Sequence, residues 1–234
     1  MIPGALIILQ ARIASRRCPG KALAMIGGRT ILARCLDRLR DACAAPVVLA
    51  TTTNPEDDAL AALAQRIDVP VVRGPEHDVL RRFVLAAARF NATFVVRATA
   101  DNPAVDIDAP RRVLETLVDS GADYVVEYGL PYGACVEGVV VDALEKADAV
   151  ATTAHDREHV TPLIRRGRPF HALQIAAPPA LQRPDLRLTV DSPEDLEFMR
   201  RIMSSLGNPT AEPSLTAIID VASSLSPFSE AAAS

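Results

Sequence analysis

LIILQARIASRRCPGK, residues 6–21, is the stretch that decides the fold of this chain. Its first four residues are apolar, and a loop rich in small and basic residues follows Gln10. A short apolar run that ends in a polar loop is typical of a buried parallel strand whose C-terminal end faces a ligand. The stretch therefore predicts an open α/β sheet with a binding loop at one edge.

The charge of this loop is one-sided. Residues 1–36 contain no acid, and the first one is Asp37. The cations in this range are Arg12, Arg16, Arg17, Lys21, Arg29 and Arg34. In a chain with formal net charge -4, this asymmetry indicates a phosphorylated ligand, because arginine, lysine and backbone amides bind oxyanions.

Simple solvation of a basic loop is the alternative that charge alone leaves open. Against it, the Pro19-Gly20 pair predicts a turn that presents Lys21 at a fixed distance from Arg12. The loop matches neither the Walker pattern GxxxxGK[ST] nor the Rossmann pattern GxGxxG. The mode of phosphate binding is therefore different from both.

The overall composition excludes several classes of protein. The 234 residues are 49% hydrophobic and 4% aromatic, which predicts one Ala/Val/Leu-rich α/β core with a small appended lobe. Few aromatics and mild acidity argue against nucleic-acid binding, and no apolar run approaches the roughly 20 residues that cross a bilayer. The four cysteines lack CxxC spacing and indicate neither a zinc site nor disulfides. We expect a reduced, cytoplasmic protein without a nucleic-acid or membrane partner.

Apolar runs and amphipathic segments alternate along the chain. Strands are predicted at 6–9, 47–50, 69–72, 93–96, 122–126 and 136–141, and helices at 31–44, 78–90, 108–120 and from Pro193. This alternation predicts a mostly parallel sheet with helices on both faces, which binds ligands beyond the strand ends. The basic loop, Thr51, Arg73 and Asp101 all follow predicted strands, so they are expected to form one composite site.

The segment QARIASRRCPGK resembles the signature QAR-x-x-S-x-R-L-P-G-K of the nucleotide-sugar cytidylyltransferases. It is most similar to their SpsF-like branch, which is related to the acylneuraminate and KDO cytidylyltransferases. The matching residues are Gln10, Ala11, Arg12, Ser15, Arg17, Pro19, Gly20 and Lys21, and Cys18 stands where leucine is usual. The resemblance extends over residues 5–204 and implies the nucleotide-diphospho-sugar transferase type of fold.

The resemblance also implies a domain division. Residues 1–206 would form the nucleotidyltransferase domain, with an acceptor and dimerisation lobe at about 127–177. Residues 207–234 would add a short helix near 214–225 and a Ser/Ala/Pro-rich tail. The family commonly forms homodimers, and we expect one here.

Two further family motifs imply a nucleotide pocket. Thr51, Thr52, Asp57 and Asp58 match a motif that lines the pocket for base and ribose, although acids in a first helical turn ordinarily complement the helix dipole. A second motif, RG-x-x-x-DVL-x-R, contains Asp78, for which a helix N-cap is the structural alternative. Its other matching residues are Arg73, Gly74, Val79, Leu80 and Arg82.

The metal site is implied by two aspartates. Asp101 lies in a segment similar to the family's R-x-T-x-D-x-P, with Ala100 in place of the usual glycine, and Asp191 lies in one similar to R-x-T-V-D-x-P-E-D-L after a predicted short strand. The family's aspartates bind Mg²⁺, which takes one or two carboxylates plus substrate phosphates. A turn role for Asp101 is the alternative. Ser192 is a predicted N-cap with Pro193 at the first helical position.

The complete nucleotide-binding set implied by the resemblance is larger. It comprises Gln10, Ala11, Arg12, Ser15, Arg17, Gly20, Lys21, Thr51, Thr52, Asp57, Arg73, Gly74 and Ala100. The resemblance implies Arg12, Lys21 and Asp101 as the catalytic residues, and Asp101 and Asp191 as the metal ligands.

The acceptor site is implied by two segments that depart from or only partly match the family. The pattern P-x-G-x-D-x-E has Cys135 in place of its aspartate, and this cysteine has no activating partner that would make it a nucleophile. The segment DREHVT, residues 156–161, supplies a cation and a histidine that would reach an anionic acceptor or stabilise the dimer. The implied acceptor residues are Tyr132, Gly133, Glu137, Arg157 and His159.

These motifs predict a Mg²⁺-dependent nucleotidyltransferase. It would use CTP and a small anionic acceptor (a sugar acid, phosphate or phosphonate) and form a CMP-activated product and pyrophosphate. One alternative is a glycosyltransferase with the same sheet, which would use a D-x-D motif such as Asp106-x-Asp108. The other is a non-catalytic nucleotide-binding module. The sequence leaves the identity of the acceptor open.

Overall fold

The computed structural model describes residues 1–15, 17–207 and 211–225. Arg16 of the basic loop and residues 226–234 of the predicted tail lie outside these ranges. Within them, no helix combines the length and the apolar character that a membrane crossing requires.

Strands and helices alternate along most of the chain. The strands are β1 (Ala5–Gln10), β2 (Met25–Ile26), β3 (Arg29–Thr30), β4 (Val47–Thr52), β5 (Val71–Gly74), β6 (Phe94–Thr99), β7 (Tyr124–Tyr128), β8 (Glu137–Val140) and β9 (Ala172–Ala176). The helices are α1 (Ile31–Asp41), α2 (Asp58–Arg66), α3 (Val79–Arg89), α4 (Ala109–Ser120), α5 (Val141–Val150), α6 (Ala154–His159), α7 (Pro162–Arg165), α8 (Pro193–Ser205) and α9 (Leu215–Leu225). Asp78 caps α3, and Ser192 caps α8 through a capping box, as the sequence predicts.

A seven-stranded sheet forms the centre of the described part of the chain, in the order β5-β4-β1-β6-β8-β7-β9. The pairs from β5 to β6 are parallel, as are β7 and β9, and β8 is antiparallel to both of its neighbours. The predicted mostly parallel α/β fold is therefore confirmed. The hairpin of β2 and β3 and the edge strand β9 were not predicted, because the first has two-residue strands and the apolar run of the second is interrupted by Gln174.

The reversed strand β8 brings its first residue to the edge where the parallel strands end. Glu137 pairs in register with Arg97, near the C-terminal end of β6. A parallel strand at this place would begin at the opposite edge of the sheet. The reversal of β8 thus places the Glu137 carboxylate at the edge of the sheet where the parallel strands end and the loops that follow them begin.

The two faces of the sheet build two apolar cores, as the period-two alternation of strand side chains requires. Ile7 and Leu9 of β1 point into the core that includes α1, α4, α8 and α9. Leu6 and Ile8 point into the core formed with α3 and α5. All four side chains are almost fully buried, so β1 contributes to both cores.

Residues 127–177, for which the sequence predicts an acceptor and dimerisation lobe, share the core of the remaining chain. This segment supplies β8 and β9 to the central sheet and α5 to the second core. Residues 187–190, predicted as a short strand, make a single parallel bridge between Tyr132 and Arg187. The prediction of a strand there was wrong, because this segment crosses the loop before β8 without joining the sheet.

Helix α9 is held against the first core by a buried ion cluster. The Glu212 carboxylate, 1% exposed, accepts two hydrogen bonds of 2.8 and 2.9 Å from Arg34 Nη1 and lies 3.5 Å from Arg38 Nη1. Arg38 also donates to the carbonyl oxygens of Val105 and Pro213 at 2.7 and 2.6 Å. Two buried guanidinium groups therefore fix the segment that leads into α9.

Glu212→Gln should lower the free energy of unfolding by about 3–5 kcal/mol, because it leaves two buried arginines without their counter-charge. Denaturant unfolding followed by circular dichroism measures this loss. Glu197→Gln is the matched control, since its carboxylate is 64% exposed and pairs with Arg200 on the surface of α8. A loss no larger than that of the control would contradict the clamping role.

Candidate active site

A cleft of about 1540 Å³ runs along the edge where the parallel strands end. Most of the residues predicted for the site line it: Gln10, Ala11, Arg12, Ser15, Arg17, Lys21, Ala100, Asp101, Tyr132, Gly133, Glu137, His159 and Asp191. The predicted residues that are not among its lining are Gly20, Thr51, Thr52, Asp57, Arg73, Gly74 and Arg157. The lysine and both predicted metal ligands thus share one cleft with the predicted acceptor residues.

Lys21 joins the two predicted metal ligands at one end of the cleft. Its ammonium donates to Asp101 Oδ2 at 3.3 Å, to Asp191 Oδ1 at 3.0 Å and to the Val190 carbonyl at 2.7 Å. These acceptors use all three N–H groups of the lysine. Gly20, in the left-handed region at φ 71°, turns the loop so that Lys21 begins a 3₁₀ turn facing these oxygens.

The backbone holds the two aspartates side by side. The Val190 N–H donates to the Asp101 carbonyl at 2.7 Å, and the Thr189 hydroxyl donates to the same oxygen at 3.2 Å. Residues 99–101 after β6 and the segment before α8 are thereby joined, although 90 positions separate the two carboxylates along the chain. The pairing of Asp101 with Asp191 therefore depends on tertiary hydrogen bonds.

Asp191 is ionised in this setting. Burial by itself raises the pKa of its carboxyl, but the hydrogen bond and charge of Lys21 and the nearby Arg187 and Arg17 lower it below 3.8. Arg187 Nη2 donates to Asp191 Oδ2 at 2.9 Å, and Arg17 Nη2 lies 3.1 Å from Asp191 Oδ1. Arg17 is 69% exposed, so it is available to a ligand.

The residues present fit a divalent cation of the Mg²⁺ type. Asp101 and Asp191 each direct a carboxylate oxygen at the same ammonium, and hard oxygen ligands are those that Mg²⁺ takes. Among the residues that the structure describes, no cluster of three or more His, Cys, Asp and Glu side chains could hold a metal. A cation at this place would therefore combine two carboxylates with phosphate oxygens and water.

Asp57, Thr52 and Arg73 fix the backbone behind the cleft. Asp57 Oδ1 accepts from the Ile13 N–H at 2.7 Å, and its Oδ2 accepts from the Thr52 hydroxyl and N–H. Arg73 Nε donates to the Thr52 carbonyl at 2.7 Å, and its Nη2 donates to the Asn54 carbonyl at 2.8 Å. The structure thus places these three predicted nucleotide-binding residues behind the basic loop, where they hold its shape.

Glu137 is the centre of a buried polar cluster at the other end of the cleft. It accepts hydrogen bonds from Arg97 Nη1 at 2.5 Å, the Tyr124 hydroxyl at 2.6 Å and the Thr161 hydroxyl at 3.1 Å. Arg165 Nη1 lies 3.6 Å from the same carboxylate. Burial raises the pKa of Glu137, but Arg97 and the Tyr124 hydroxyl outweigh this effect and lower it. The carboxylate is therefore ionised and orients two arginines.

Arg97 and Arg165 were not predicted as site residues. Arg97 is a charged residue in an otherwise apolar strand, which is a signal that the sequence does offer. Its Nε is buried without a hydrogen-bond partner in the part of the chain that the structure describes. Arg165, in the short helix α7, carries no such signal, and only the fold brings it to the cleft.

Two histidines and an ion pair cover this end of the cleft. The rings of His155 and His159 lie 4.5 Å apart between centroids. Burial and the neighbouring His155 lower the pKa of His159, so this imidazole is neutral at pH 7. Arg12 Nη2 pairs with Glu158 Oε1 at 2.7 Å, which joins the basic loop to α6.

The structure corrects the prediction for Arg157. Its guanidinium donates to the Ala151 and Asp148 carbonyls at 2.8 and 2.7 Å and pairs with the Asp148 carboxylate. It joins α5 to α6 and does not reach the cleft, because an amphipathic turn directs it to the opposite side from His159. Arg157 is two positions from His159, and side chains at this spacing on a helix do not face the same side.

The structure explains why position 133 requires glycine and why the thiol of Cys135 is unreactive. Gly133 has φ 96°, and a Cβ there would lie 2.6 Å from the Thr189 backbone nitrogen, so only glycine permits this contact. Burial raises the pKa of Cys135 to about 11, which keeps the thiol protonated at neutral pH. This agrees with the sequence argument that it is no nucleophile.

The D-x-D alternative lies away from the cleft. Asp106 is 4% exposed and its carboxylate pairs with Arg112, while Asp108 is exposed at the start of α4. Neither residue is among the lining of the cleft. The motif thus has a structural explanation, which weakens the glycosyltransferase interpretation.

An open α/β sheet with a basic loop after β1 and a lysine between two aspartates defines a nucleotide-binding protein of the nucleotidyltransferase type. A family model described as cytidylyltransferase matches residues 6–214. The chain belongs to this family, as the resemblance of its motifs predicted. It is a cytidylyltransferase by family membership.

Similar proteins agree with this assignment. The spore coat polysaccharide biosynthesis protein SpsF of Bacillus subtilis is 32% identical over 209 residues, which cover 86% of this chain and 87% of that protein. A 3-deoxy-manno-octulosonate cytidylyltransferase of Rhodospirillum centenum is 37% identical over 125 residues, which cover 50% of this chain and 47% of that enzyme. The solved structure of a cytidylyltransferase from Leptospira borgpetersenii covers 93% of both chains with a TM-score of 0.84 and 28% identity.

Glu137→Gln should reduce the free energy of unfolding by about 3–5 kcal/mol at pH 7, because Arg97 loses its buried counter-charge. A carboxyl whose folded pKa is lowered contributes stability above its unfolded value of 4.5, and this contribution is lost as the pH falls through the folded pKa. The difference between wild type and variant should therefore shrink below pH 4.5.

Denaturant unfolding of both proteins at a series of pH values from about 3 to about 8 measures this difference, because this range begins roughly one unit below the ordinary carboxyl pKa values. Glu115→Gln, at an exposed position of α4, is the control and should leave stability unchanged at every pH. A pH-independent loss in Glu137→Gln would show that its charge does not stabilise the fold.

Proposed function

We propose that this protein transfers CMP from CTP to a small anionic acceptor and releases pyrophosphate, with Mg²⁺ bound at Asp101 and Asp191. The observation that carries the proposal is the ammonium of Lys21, which contacts both carboxylates in the cleft after the basic loop. Membership in the cytidylyltransferase family supports CTP as the nucleotide. The 3-deoxy-manno-octulosonate enzymes among its relatives support an anionic acceptor.

In this reaction an anionic oxygen of the acceptor attacks the α-phosphorus of CTP. A bond forms between them, the bond from the α-phosphorus to the α,β-bridging oxygen breaks, and pyrophosphate leaves with that electron pair. A phosphate or phosphonate oxygen is already ionised and needs no general base, whereas the hydroxyl of a sugar acid would first have to lose its proton to a base or to solvent. The protein then has to position two anions and neutralise charge, which is what a rigid cationic cleft provides.

The basic loop would bind the departing phosphates. Lys21, Arg12 and Arg17 line the cleft, and the loop that carries them is held by the hydrogen bond from the Ile13 N–H to Asp57. Cations at fixed positions stabilise the charge that develops on pyrophosphate without having to reorganise. Asp101 and Asp191 would hold the divalent cation, which supplies further positive charge to the phosphate oxygens when bound.

The acceptor would bind at the end of the cleft that Glu137 organises. Arg97, Arg165, Arg166 and His159 line the cleft on this side. Glu137 neutralises part of this charge and fixes the direction of Arg97. The remaining cationic character favours an acceptor with a carboxylate, phosphate or phosphonate group. Tyr132, which the sequence also predicts for the acceptor, instead lies under the guanidinium of Arg187, next to Asp191.

Thermal-shift measurements with CTP, UTP, ATP and GTP, each with and without Mg²⁺, test the proposal. We expect a shift that is largest for CTP and is increased by Mg²⁺. Selective stabilisation by a finished nucleotide sugar would favour a glycosyltransferase instead. The absence of a shift with every nucleotide would refute the proposal.

Asp101→Asn and Asp191→Asn should each remove most of the Mg²⁺-dependent gain in CTP affinity and reduce pyrophosphate release more than about tenfold, because an amide is a weak ligand for Mg²⁺. Calorimetry measures the affinity, and a panel of sugar acids, sugar phosphates and phosphonates supplies acceptors for the release assay. Asp108→Asn, at an exposed position outside the cleft, is the control and should behave like wild type. If CTP affinity still increased with Mg²⁺ in both site variants as it does in wild type, the assignment of Asp101 and Asp191 as metal ligands would be wrong.

A further inference from the structure

Arg82 is a buried cation that faces the cleft without a partner. It lies in the first turns of α3 and is 1% exposed, yet it is among the residues that line the cleft. Its Nε and Nη1 atoms are buried and have no hydrogen-bond partner within residues 1–15, 17–207 and 211–225. The same ranges provide no carboxylate in ion-pair contact with it.

The buried arginines of the first core show what is unusual about Arg82. Arg34 and Arg38 are equally buried, but they share the Glu212 carboxylate and donate to backbone carbonyls. Burial of an unpaired charge costs several kcal/mol, and it lowers the pKa of Arg82. A fold that keeps such a group does so at the expense of its own stability, which is typical of ligand-binding residues.

The surroundings of Arg82 are built to admit its side chain. A Cβ added to Gly74 would lie 2.8 Å from Arg82 Cγ, so the glycine at the end of β5 makes room for the arginine stem. The charges that act on Arg82 are Arg12, of like sign, and Glu158, Asp57 and Glu76, of opposite sign. Arg12 lines the same cleft as Arg82, and it pairs at 2.7 Å with Glu158 of α6, a helix that packs against α3.

We propose that Arg82 and Arg12 form an oxyanion subsite on the α3 side of the cleft, distinct from the Lys21–Asp101–Asp191 end. The subsite binds a phosphate-type group, to which Arg82 donates its Nε and Nη1 hydrogens. That group displaces Glu158 as the partner of Arg12. The inference rests on the proposed function for the source of the phosphate, which is either the β,γ-end of CTP or the anionic group of the acceptor.

This inference gives a specific role to Arg82, which the sequence marks only as a matching residue of the motif RG-x-x-x-DVL-x-R. It also gives Glu158 a defined role as a competitor, because its carboxylate occupies Arg12 in the structure. Removing the arginine should weaken binding of the phosphate group, and removing the charge of the competing glutamate should strengthen it. Two substitutions in one small site are thus expected to act in opposite directions.

The experiment compares wild type with Arg82→Met, Arg82→Lys and Glu158→Gln by calorimetry. Arg81→Met is the matched control, since Arg81 lies on the same helix, is half exposed and pairs with Asp148 outside the cleft. The probes are pyrophosphate, CMP and CTP alone, and inorganic phosphate added to protein saturated with CTP. Thermal unfolding without ligand is measured for every variant.

If the phosphate comes from CTP, Arg82→Met should weaken CTP and pyrophosphate binding at least about tenfold, the loss of one charged hydrogen bond, and leave CMP binding unchanged. If it comes from the acceptor, CTP binding should be unchanged, and the binding of inorganic phosphate to the CTP-saturated protein should be lost. In either case Glu158→Gln should bind the affected probe more tightly, and Arg82→Met without ligand should be at least as stable as wild type.

A melting temperature of Arg82→Met far below that of Arg81→Met would overturn the inference, because it would show that Arg82 supports the fold. Unchanged affinity for every probe would overturn it as well. If Arg82→Met does not fold, Arg82→Lys and Glu158→Gln decide, since a lysine keeps the charge but cannot donate two parallel N–H groups. Arg82-dependent pyrophosphate binding in a protein that ignores CTP would support the subsite and refute the proposed function.

Discussion

The ammonium of Lys21 between Asp101 and Asp191 is the interaction on which the site depends. It joins the loop after β1, the end of β6 and the segment before α8, which are far apart in the chain. Without a cation, two carboxylates that face one point would repel each other. The lysine therefore holds the two carboxylates side by side, and the loop that carries it is fixed from behind by Asp57.

The cleft is organised by electrostatics on both sides of this contact. At one end acids surround a lysine, and at the other end arginines surround Glu137, so each group of charges is compensated within its own cluster. A nucleotidyl transfer brings two anions together and sends a third away. A cleft with its cations already oriented avoids the cost of turning solvent or side chains during that step.

The sequence was sufficient for the sheet, because apolar runs followed by polar loops identify strand ends directly, and most of the residues that it predicted for the site line one cleft. It was insufficient where a role depends on tertiary contacts. Arg157 and His159 share one short motif, yet only His159 reaches the cleft, and Arg165 lies in a helix of four residues. Thr52 and Asp57 follow a strand as expected, but hydrogen bonds that no pattern encodes turn them away from the cleft.

The reversal of β8 has a consequence for how such a protein can change. The parallel strands from β5 to β6 carry the loop of Lys21 and also Arg97, whereas Glu137 and Arg165 belong to elements on the far side of the reversal. In the function proposed above, substitutions beyond the reversal would change acceptor contacts and leave the loop after β1 untouched. The two sides of the reversal would then vary separately, so that the acceptor could change while the loop of Lys21 stays constant.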